Sequence, residues 1–437
     1  MNDMIDIRTF GAIGDDDTVN TRAVQAAIDE CSRVKGAGVL VAGGRFVIGT
    51  IFLKDDVTLH VAAGAALVGS TDIADYATDV YKNMYRDEPH MDRCLIFARG
   101  ARRIAIEGAG TIDGSGGHET FRHTGQKPFY RPMMIRFLDC SGIRMRDITL
   151  RDPAAWTSAW LYCDDIAVDG VTISSRANGN GDGLDFDGCT AVRVSNCSFD
   201  TSDDSICLQA SRPDRPCRDV TVSNCVFCSH WAGMRIGLLS RGDIRNVAVT
   251  NCVFRDIKDS GLKIQLYEGG VMENMAFSNL VMENVPRPIF MTFGQQRACV
   301  DAPPGVAPMQ RMGHMTFSNI VADSSMCGKD SAIMLLGLAG HCIENITLAD
   351  ISLTTGGGAA AGEIDPSPLP DLTPEQIGRW WPEYFCFKRT VPASGLYAAH
   401  LRGLTLRNVR LHPVKPDARP TIFCHDVQEA DLGGAKQ

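Results

Sequence analysis

The stretch VAVTNCVF, residues 247–254, decides the fold because it recurs along the chain at a nearly constant interval. Its upstream neighbour is VTVSNCVF at residues 220–227. In both, the alternating apolar residues typical of a half-buried strand are followed by Asn and a second apolar pair. Asn tolerates the left-handed backbone better than most residues. The pattern therefore predicts a short strand, a turn of fixed geometry and a second strand.

Ten such strands can be aligned, and the residue two positions after each is Gly, Asn or Asp. In the central run they begin at residues 143, 166, 192, 220, 247 and 275, so the steps are 23 to 28 residues. Short strands at this interval, without a long helical pattern, predict an all-β protein, a parallel β-helix in which each coil pairs with its neighbours. A β-propeller would need about 40 to 50 residues per blade. The turn residues are Gly108, Asp147, Gly170, Asn196, Asn224, Asn251, Asn279, Asn319, Asp350 and Asn408.

We expect one solenoid domain over residues 1–437, with its first edge covered. Residues 17–34 place Val24, Ala27, Ile28 and Cys31 on one side of a helix, which suits a short N-terminal capping helix. Residues 355–398 interrupt the repeat with GGGAAAG, several prolines and WWPEYF. We interpret this segment as an excursion that forms a cleft wall or a subunit contact.

The composition and charge of the chain limit the kinds of partner and the compartment that we expect. With 44% hydrophobic and 22% charged residues the chain predicts a soluble globular protein, and no apolar run approaches the roughly 20 residues of a membrane span. A net charge of −9 disfavours nucleic acid as the partner. The first residues carry no secretory pattern and the 16 cysteines are scattered, so we expect reduced thiols in the cytoplasm.

Aspartates of adjacent coils fall at one position of a second strand column. The strands at 184–186 and 206–208 can be aligned, and the residues two before them are Asp182 and Asp204. Paired strands lie about 4.8 Å apart. The pattern therefore predicts two neighbouring carboxylates on an exposed ridge, with Asp203 beside them. Gathered like charges cost stability and are common at functional sites.

Charged residues of both signs occupy the middle of the same strand column. Asp185, Arg235 and Lys263 are predicted to point outward on the face of the acids, because the apolar residues that flank them must point inward. A basic pair beside an acidic trio suits a negatively charged sugar. A surface ion-pair ladder among these three residues is the alternative.

Longer segments resemble the polygalacturonase family, family 28 of the glycoside hydrolases. The late segments at 392–409 and 417–420 are similar to its bacterial members, and together with the expected cytoplasmic location this identifies an intracellular bacterial type. The resemblance spans most of the chain and implies a right-handed parallel β-helix. The segments of the N-terminal half that carry it are FGAIGDDDTVNTRAVQAAIDEC, LKDDVTLHVAAGAALVGS, GAGTIDGSGG and RPMMIRFLDCSGIRMRDITLRDPAAWT.

The family motifs match unevenly. Its Asn-Thr-Asp corresponds to Asn180-Gly181-Asp182 and its Asp-Asp pair to Asp203-Asp204, whereas the histidine of Gly-His-Gly aligns with Ala232. His230, two residues upstream, either substitutes for that histidine or is a surface residue without a role. Arg-Ile-Lys becomes Lys263-Ile264-Gln265. The resemblance implies the catalytic residues Asp182, Asp203 and Asp204, and we assign substrate binding to Asn180, His230, Arg235, Lys263 and Gln265.

The implied reaction is hydrolysis with inversion, without cofactor or metal. Asp203 would protonate the leaving oxygen while Asp182 and Asp204 hold and deprotonate the water. We expect exo action on short pectic oligosaccharides, with galacturonan, rhamnogalacturonan fragments and a non-pectic glycoside left open; the oligomeric state is also open. One alternative is a polysaccharide lyase, in which the aspartates bind calcium and Arg235 or Lys263 is the base. Another is a carbohydrate-binding or assembly protein without catalysis.

Overall fold

The computed structural model describes residues 4–80, 89–122, 130–266, 268–293, 311–372 and 383–433. The chain divides into two compact units, with the boundary between Ile206 and Cys207. The prediction of a single domain over residues 1–437 stays a prediction.

Among its described residues, the first unit consists of short strands, one α-helix and short 3-10 helices at Ile7–Phe10, Ile73–Asp75, Pro89–Met91 and Glu119–Phe121. The α-helix is α1 (Thr21–Val34). The strands are β1 (Met4–Asp6), β2 (Asp15–Val19), β3 (Gly38–Val41), β4 (Arg45–Ile48), β5 (Ile51–Phe52), β6 (Thr58–Val61), β7 (Ala66–Gly69), β8 (Cys94–Arg99), β9 (Arg102–Glu107), β10 (Thr111–Asp113), β11 (Met133–Leu138), β12 (Ser141–Arg146), β13 (Thr149–Arg151), β14 (Ser158–Leu161), β15 (Asp164–Asp169), β16 (Thr172–Ser175), β17 (Leu184–Asp187), β18 (Thr190–Ser195) and β19 (Ser198–Thr201).

The second unit has longer strands and 3-10 helices at Ser325–Asp330, Ala361–Glu363 and Tyr384–Phe387. Its first strand starts at the boundary residue. The strands are β20 (Ile206–Ala210), β21 (Cys217–Ser223), β22 (Val226–Ser229), β23 (Ala232–Ser240), β24 (Ile244–Arg255), β25 (Ser260–Leu266), β26 (Val271–Glu283), β27 (Arg287–Phe293), β28 (Arg311–Ser324), β29 (Ile333–Leu336), β30 (Ile343–Gly357), β31 (Leu396–Lys415) and β32 (Ile422–Gln428).

Each coil pairs in parallel with the next, in the register that the repeat predicts. In the first unit Ile143 of β12 faces Ile104 of β9 and Ile166 of β15. In the second, Val247 of β24 faces Val220 of β21 and Met275 of β26. These apolar columns are buried and form the core. The fold is a right-handed parallel β-helix, as predicted.

The turn column has the predicted left-handed conformation. All ten turn residues named above have φ between 51° and 112°. Asparagine side chains of successive coils also bond to each other, because Asn279 Nδ2 donates to Asn251 Oδ1 at 3.1 Å and Asn319 Nδ2 donates to Asn279 Oδ1 at 2.6 Å. Backbone geometry and side-chain bonding therefore both favour asparagine here.

Helix α1 confirms the expected N-terminal cap. Its buried residues are Val24, Ala27, Ile28 and Cys31, the four that were predicted, and it contacts β1, β3 and β5. In the part of the chain that the structure describes, no helix combines the length and the apolar character needed to cross a membrane. A cytoplasmic location stays a prediction.

The excursion leaves the strand ladder of the second unit after Gly357, and the chain rejoins the ladder at Leu396. Phe290, Met334 and Tyr397 stack across β27, β29 and β31. Apolar residues of the excursion pack with this column in one buried cluster, among them Leu369, Leu372, Cys386, Phe387 and Val391. The excursion thus covers this strand column of the second unit.

We expect Asn279→Ala to lower the free energy of unfolding by about 1–2 kcal/mol, because alanine pays the steric cost of the left-handed conformation. Ser278→Ala is the matched control, since Ser278 also bonds to the preceding coil, through Thr250 Oγ1 at 3.1 Å, but has no positive φ. Urea denaturation of both variants measures the difference. An equal or larger loss in the control would contradict this account of the turn.

Candidate active site

Asp182 lies just before β17, in a loop that buried hydrogen bonds fix on the first unit. Asn178 Nδ2 donates to the carbonyl of Ala154 at 3.1 Å and also to that of Phe121. Asn180 takes the left-handed conformation at φ 55°. Both asparagines of the stretch NGNGDG therefore have a structural role that holds Asp182 in place.

The glycines on either side of Asp182 are required by close packing. A Cβ on Gly181 would come within 2.2 Å of the Ser175 carbonyl oxygen, and one on Gly183 within 2.2 Å of the Ser205 carbonyl oxygen. Neither glycine has a positive φ. The neighbouring coils therefore approach the backbone of Asp182 so closely that a side chain on either flank would push them apart.

Asp182 and Asp204 are neighbours across adjacent coils. Gly183 N donates to Asp204 O at 2.9 Å and Leu184 N donates to Ser205 O at 3.0 Å, which aligns Asp182 with Asp204. A carboxylate oxygen of one lies within 4.8 Å of a carboxylate oxygen of the other. The expected exposed ridge is wrong, however, because Asp182 is only 6% and Asp204 only 2% exposed. The packed coils around them enclose both side chains.

Asp203 is the half-buried member of the trio. Its Oδ2 accepts from Asn180 Nδ2 at 3.4 Å, and its Oδ1 accepts from the backbone N–H of Asp204 at 3.0 Å. The amide of Asn180 thus links the loop of Asp182 to Asp203. Two close carboxylates can share a proton, a water or a cation, while the third, which is more exposed, can exchange a proton with a bound molecule.

Arg131 is part of this site, although the sequence analysis did not select it. Its side chain is 1% exposed. Nη1 donates to the carbonyl of Gly179 at 2.5 Å and Nη2 donates to Asn180 Oδ1 at 2.8 Å. This orients the amide of Asn180 so that its nitrogen faces Asp203. The signal was faint, since Arg131 stands only at the start of the family-like stretch RPMMIRF.

The second unit contains the other candidate substrate-binding residues. Arg235 of β23 faces Lys263 of β25, as the strand alignment predicts. Gln265 Oε1 accepts from Arg235 Nη2 at 2.7 Å. Both cations are buried, Arg235 at 4% and Lys263 at 0% exposed, so the alternative of a surface ion-pair ladder is wrong. Asp185, in the first unit, is also buried.

Lys263 is held by an aromatic ring and a carboxylate. Its Nζ lies 4.7 Å from the centroid of the Trp231 ring and 2.7 Å from Asp259 Oδ2. Arg287 Nη2 lies 2.9 Å from Asp259 Oδ1. Burial raises the pKa of Asp259, but the charges of Lys263 and Arg287 outweigh it, so its pKa lies well below the ordinary value. Asp259 is thus a carboxylate wherever the unit is folded near neutral pH.

An alanine, Ala232, stands at the position of the family histidine, so no imidazole ring lies there. Ala232 is fully buried in β23, whereas His230 is exposed before the strand begins. The hypothesis that His230 substitutes for that histidine stays a prediction.

The three aspartates gathered on neighbouring coils of the first unit supply the carboxyl groups that an O-glycosyl hydrolase needs. The model of the family "Glycosyl hydrolases family 28" matches residues 31–366. The chain therefore belongs to glycosyl hydrolase family 28, as its resemblance to the polygalacturonases predicted.

Named relatives agree with this assignment. A probable polygalacturonase of Vitis vinifera is 26% identical, with 84% of this chain and 80% of that protein covered. The exo-poly-alpha-D-galacturonosidase of Dickeya chrysanthemi is 24% identical over 86% of this chain and 70% of its own. The family 28 exopolygalacturonase of Yersinia enterocolitica has the same fold, with a TM-score of 0.78 at 22% identity over 100% of this chain and 79% of that one.

We expect Gly183→Ala to lower the free energy of unfolding by about 1–3 kcal/mol, the usual cost of overpacking a rigid site. Gly117→Ala is the matched control in the same unit, because its Cβ would meet only Ala177 Cβ at an ordinary 3.7 Å. Thermal and urea unfolding of both variants provide the measurement. Similar stability of the two would show that the coils at Asp182 can move apart.

Proposed function

We propose that the protein hydrolyses glycosidic bonds of pectic oligosaccharides with inversion of the anomeric configuration, acting from chain ends. The observation that supports it most is the carboxylate pair of Asp182 and Asp204 across adjacent coils. The pectic substrate and the exo action are supported by relatives named exo-poly-alpha-D-galacturonosidase and exopolygalacturonase. Galacturonan and rhamnogalacturonan fragments are both within this proposal.

The distance between the paired acids supports their common role. In inverting enzymes the acid and the base lie about 6.5–9.5 Å apart, which leaves room for the attacking water. The 4.8 Å limit for Asp182 and Asp204 is too short for that. We therefore assign these two together to the water, and Asp203 to the leaving oxygen as general acid.

As the general acid, Asp203 has to carry a proton before the reaction. Two neighbouring carboxylates disfavour ionisation of a third. Asn180 and the backbone N–H of Asp204 hold the Asp203 carboxyl in one orientation. Asp203 then gives its proton to the leaving oxygen, while a proton of the water goes to the Asp182 and Asp204 pair.

We expect Asp203→Asn and Asp182→Asn each to lower kcat by about 10²–10⁴-fold, the usual contribution of general acid–base catalysis. The fold should remain, since asparagine keeps the volume and one of the two acceptor oxygens. Asp200→Asn is the control, because Asp200 is exposed on β19 and pairs with Arg176 at 2.6 Å. Release of reducing ends from oligogalacturonides and rhamnogalacturonan fragments measures the rates. Near-normal turnover in either active-site variant would refute the assignment.

The stereochemistry and the chelator response separate the proposal from its alternatives. The first product detected by proton NMR should have the inverted anomeric configuration. A calcium-dependent lyase on the same fold would instead give an unsaturated product that absorbs in the ultraviolet, and a chelator would abolish it. A carbohydrate-binding protein would release no product from any of these oligosaccharides.

A further inference from the structure

Five charged side chains of the second unit form a chain of alternating sign. Glu383, in the excursion, stands between the two cations Arg235 and Lys263: its Oε1 lies 2.6 Å from Arg235 Nη2, and its Oε2 contacts Lys263 Nζ. Lys263 continues the chain to Asp259, and Asp259 continues it to Arg287. Each of the five side chains is at most 9% exposed. Each carboxylate of this chain thus lies between two cations.

Packing fixes the position of Glu383. The residue that follows it, Tyr384, lies under the guanidinium of Arg287, with 4.5 Å from Cζ to the ring centroid. Phe385 contacts the ring of Trp231, with the centroids 6.4 Å apart. Cys386 and Phe387 belong to the buried apolar cluster of the excursion. The carboxylate of Glu383 is therefore held between the cations by contacts of the residues that follow it.

We propose that Glu383 takes the place that a substrate carboxylate would have between Arg235 and Lys263, so that the sugar unit recognised by these side chains is uncharged. This specificity rests on the proposed function, the hydrolysis of pectic oligosaccharides. Glu383 is the residue that determines this specificity.

Electrostatics favours an uncharged sugar unit here. An incoming carboxylate would meet the negative charge of Glu383 and would compete for the same donors. Displacing Glu383 would leave its buried charge without a counter-ion, which is strongly unfavourable. A sugar hydroxyl adds no charge, so a neutral unit can lie against these side chains while Glu383 stays paired with Arg235 and Lys263. Arg235 and Lys263, with Glu383 between them, therefore suit a neutral sugar unit within a pectic oligosaccharide.

The test compares oligogalacturonides with their carboxyl-reduced counterparts, which have the same linkages without the charge. The wild type should hydrolyse the reduced substrate at least as efficiently as the acidic one. Glu383→Gln should shift the ratio of kcat/KM towards the acidic substrate by at least about tenfold, since it unmasks two buried cations. Glu363→Gln is the matched control, because that carboxylate also lies in the excursion but pairs with Lys329 at the surface. It should leave the ratio unchanged.

Two results would overturn the inference. One is a wild type that strongly prefers the acidic substrate and loses this preference in Glu383→Gln, which would mean that Glu383 orients the cations for a substrate carboxylate. The other is a ratio that is the same in a folded Glu383→Gln as in the wild type. Should Glu383→Gln fail to fold, the double variant Arg235→Gln/Glu383→Gln removes one charge of each sign. It should keep the wild-type preference, and a gain of preference for the acid would equally refute the inference.

A binding experiment distinguishes failure of this inference from failure of the proposed function. If the wild type hydrolyses neither of these substrates and no rhamnogalacturonan fragment, the proposed function fails. Titration of galacturonate and of galactose, followed by NMR, then tests the charge argument alone. Galacturonate binding gained in Glu383→Gln, and absent from the wild type and from Glu363→Gln, would support it; no gain would refute it.

Discussion

The registered parallel hydrogen bonding between successive coils is the constraint on which the rest depends. A shift by one residue would turn every side chain of a strand to its other face. The left-handed turn residues prevent such a shift, since each coil must bend at the same position and Asn251, Asn279 and Asn319 bond directly to one another. The same register sets Asp182 beside Asp204. Alignment of acids is thus a property of the ladder rather than of a single loop.

The two units manage buried charge in opposite ways. In the first unit Asp182 and Asp204 lie close together with little exposure, an arrangement that costs stability and suits acid–base chemistry. In the second unit the carboxylate of Glu383 is paired with the cations Arg235 and Lys263. These opposite charges compensate one another, so that the three side chains can be buried. The closely packed coils at Gly181 and Gly183 supply the rigidity that holds like charges together.

Local repetition explains how much of this could be predicted from the sequence. The coil period, the turn column, helix α1 and the alignment of Asp182 with Asp204 all follow from patterns that span one or two coils. Arg131 did not stand out, because its partners Gly179 and Asn180 lie 48 and 49 residues away. Glu383 is 148 residues from Arg235, and no period links them. Burial of Arg235 and Lys263 was missed for the same reason, since Glu383, which contacts both, lies in the excursion outside the repeat.

The excursion also has a consequence for how such enzymes diversify. Strands β30 and β31 pair from Ile343 with Leu401 to Gly357 with Lys415, without a break in register, although the excursion lies between them in the chain. Evolution can therefore exchange this insert as a module without shifting the coils, provided that the new segment also covers Phe290, Met334 and Tyr397. Because Glu383 belongs to the insert while Arg235 and Lys263 belong to the coils, a graft of this segment would carry the proposed charge preference only to a scaffold that has both cations.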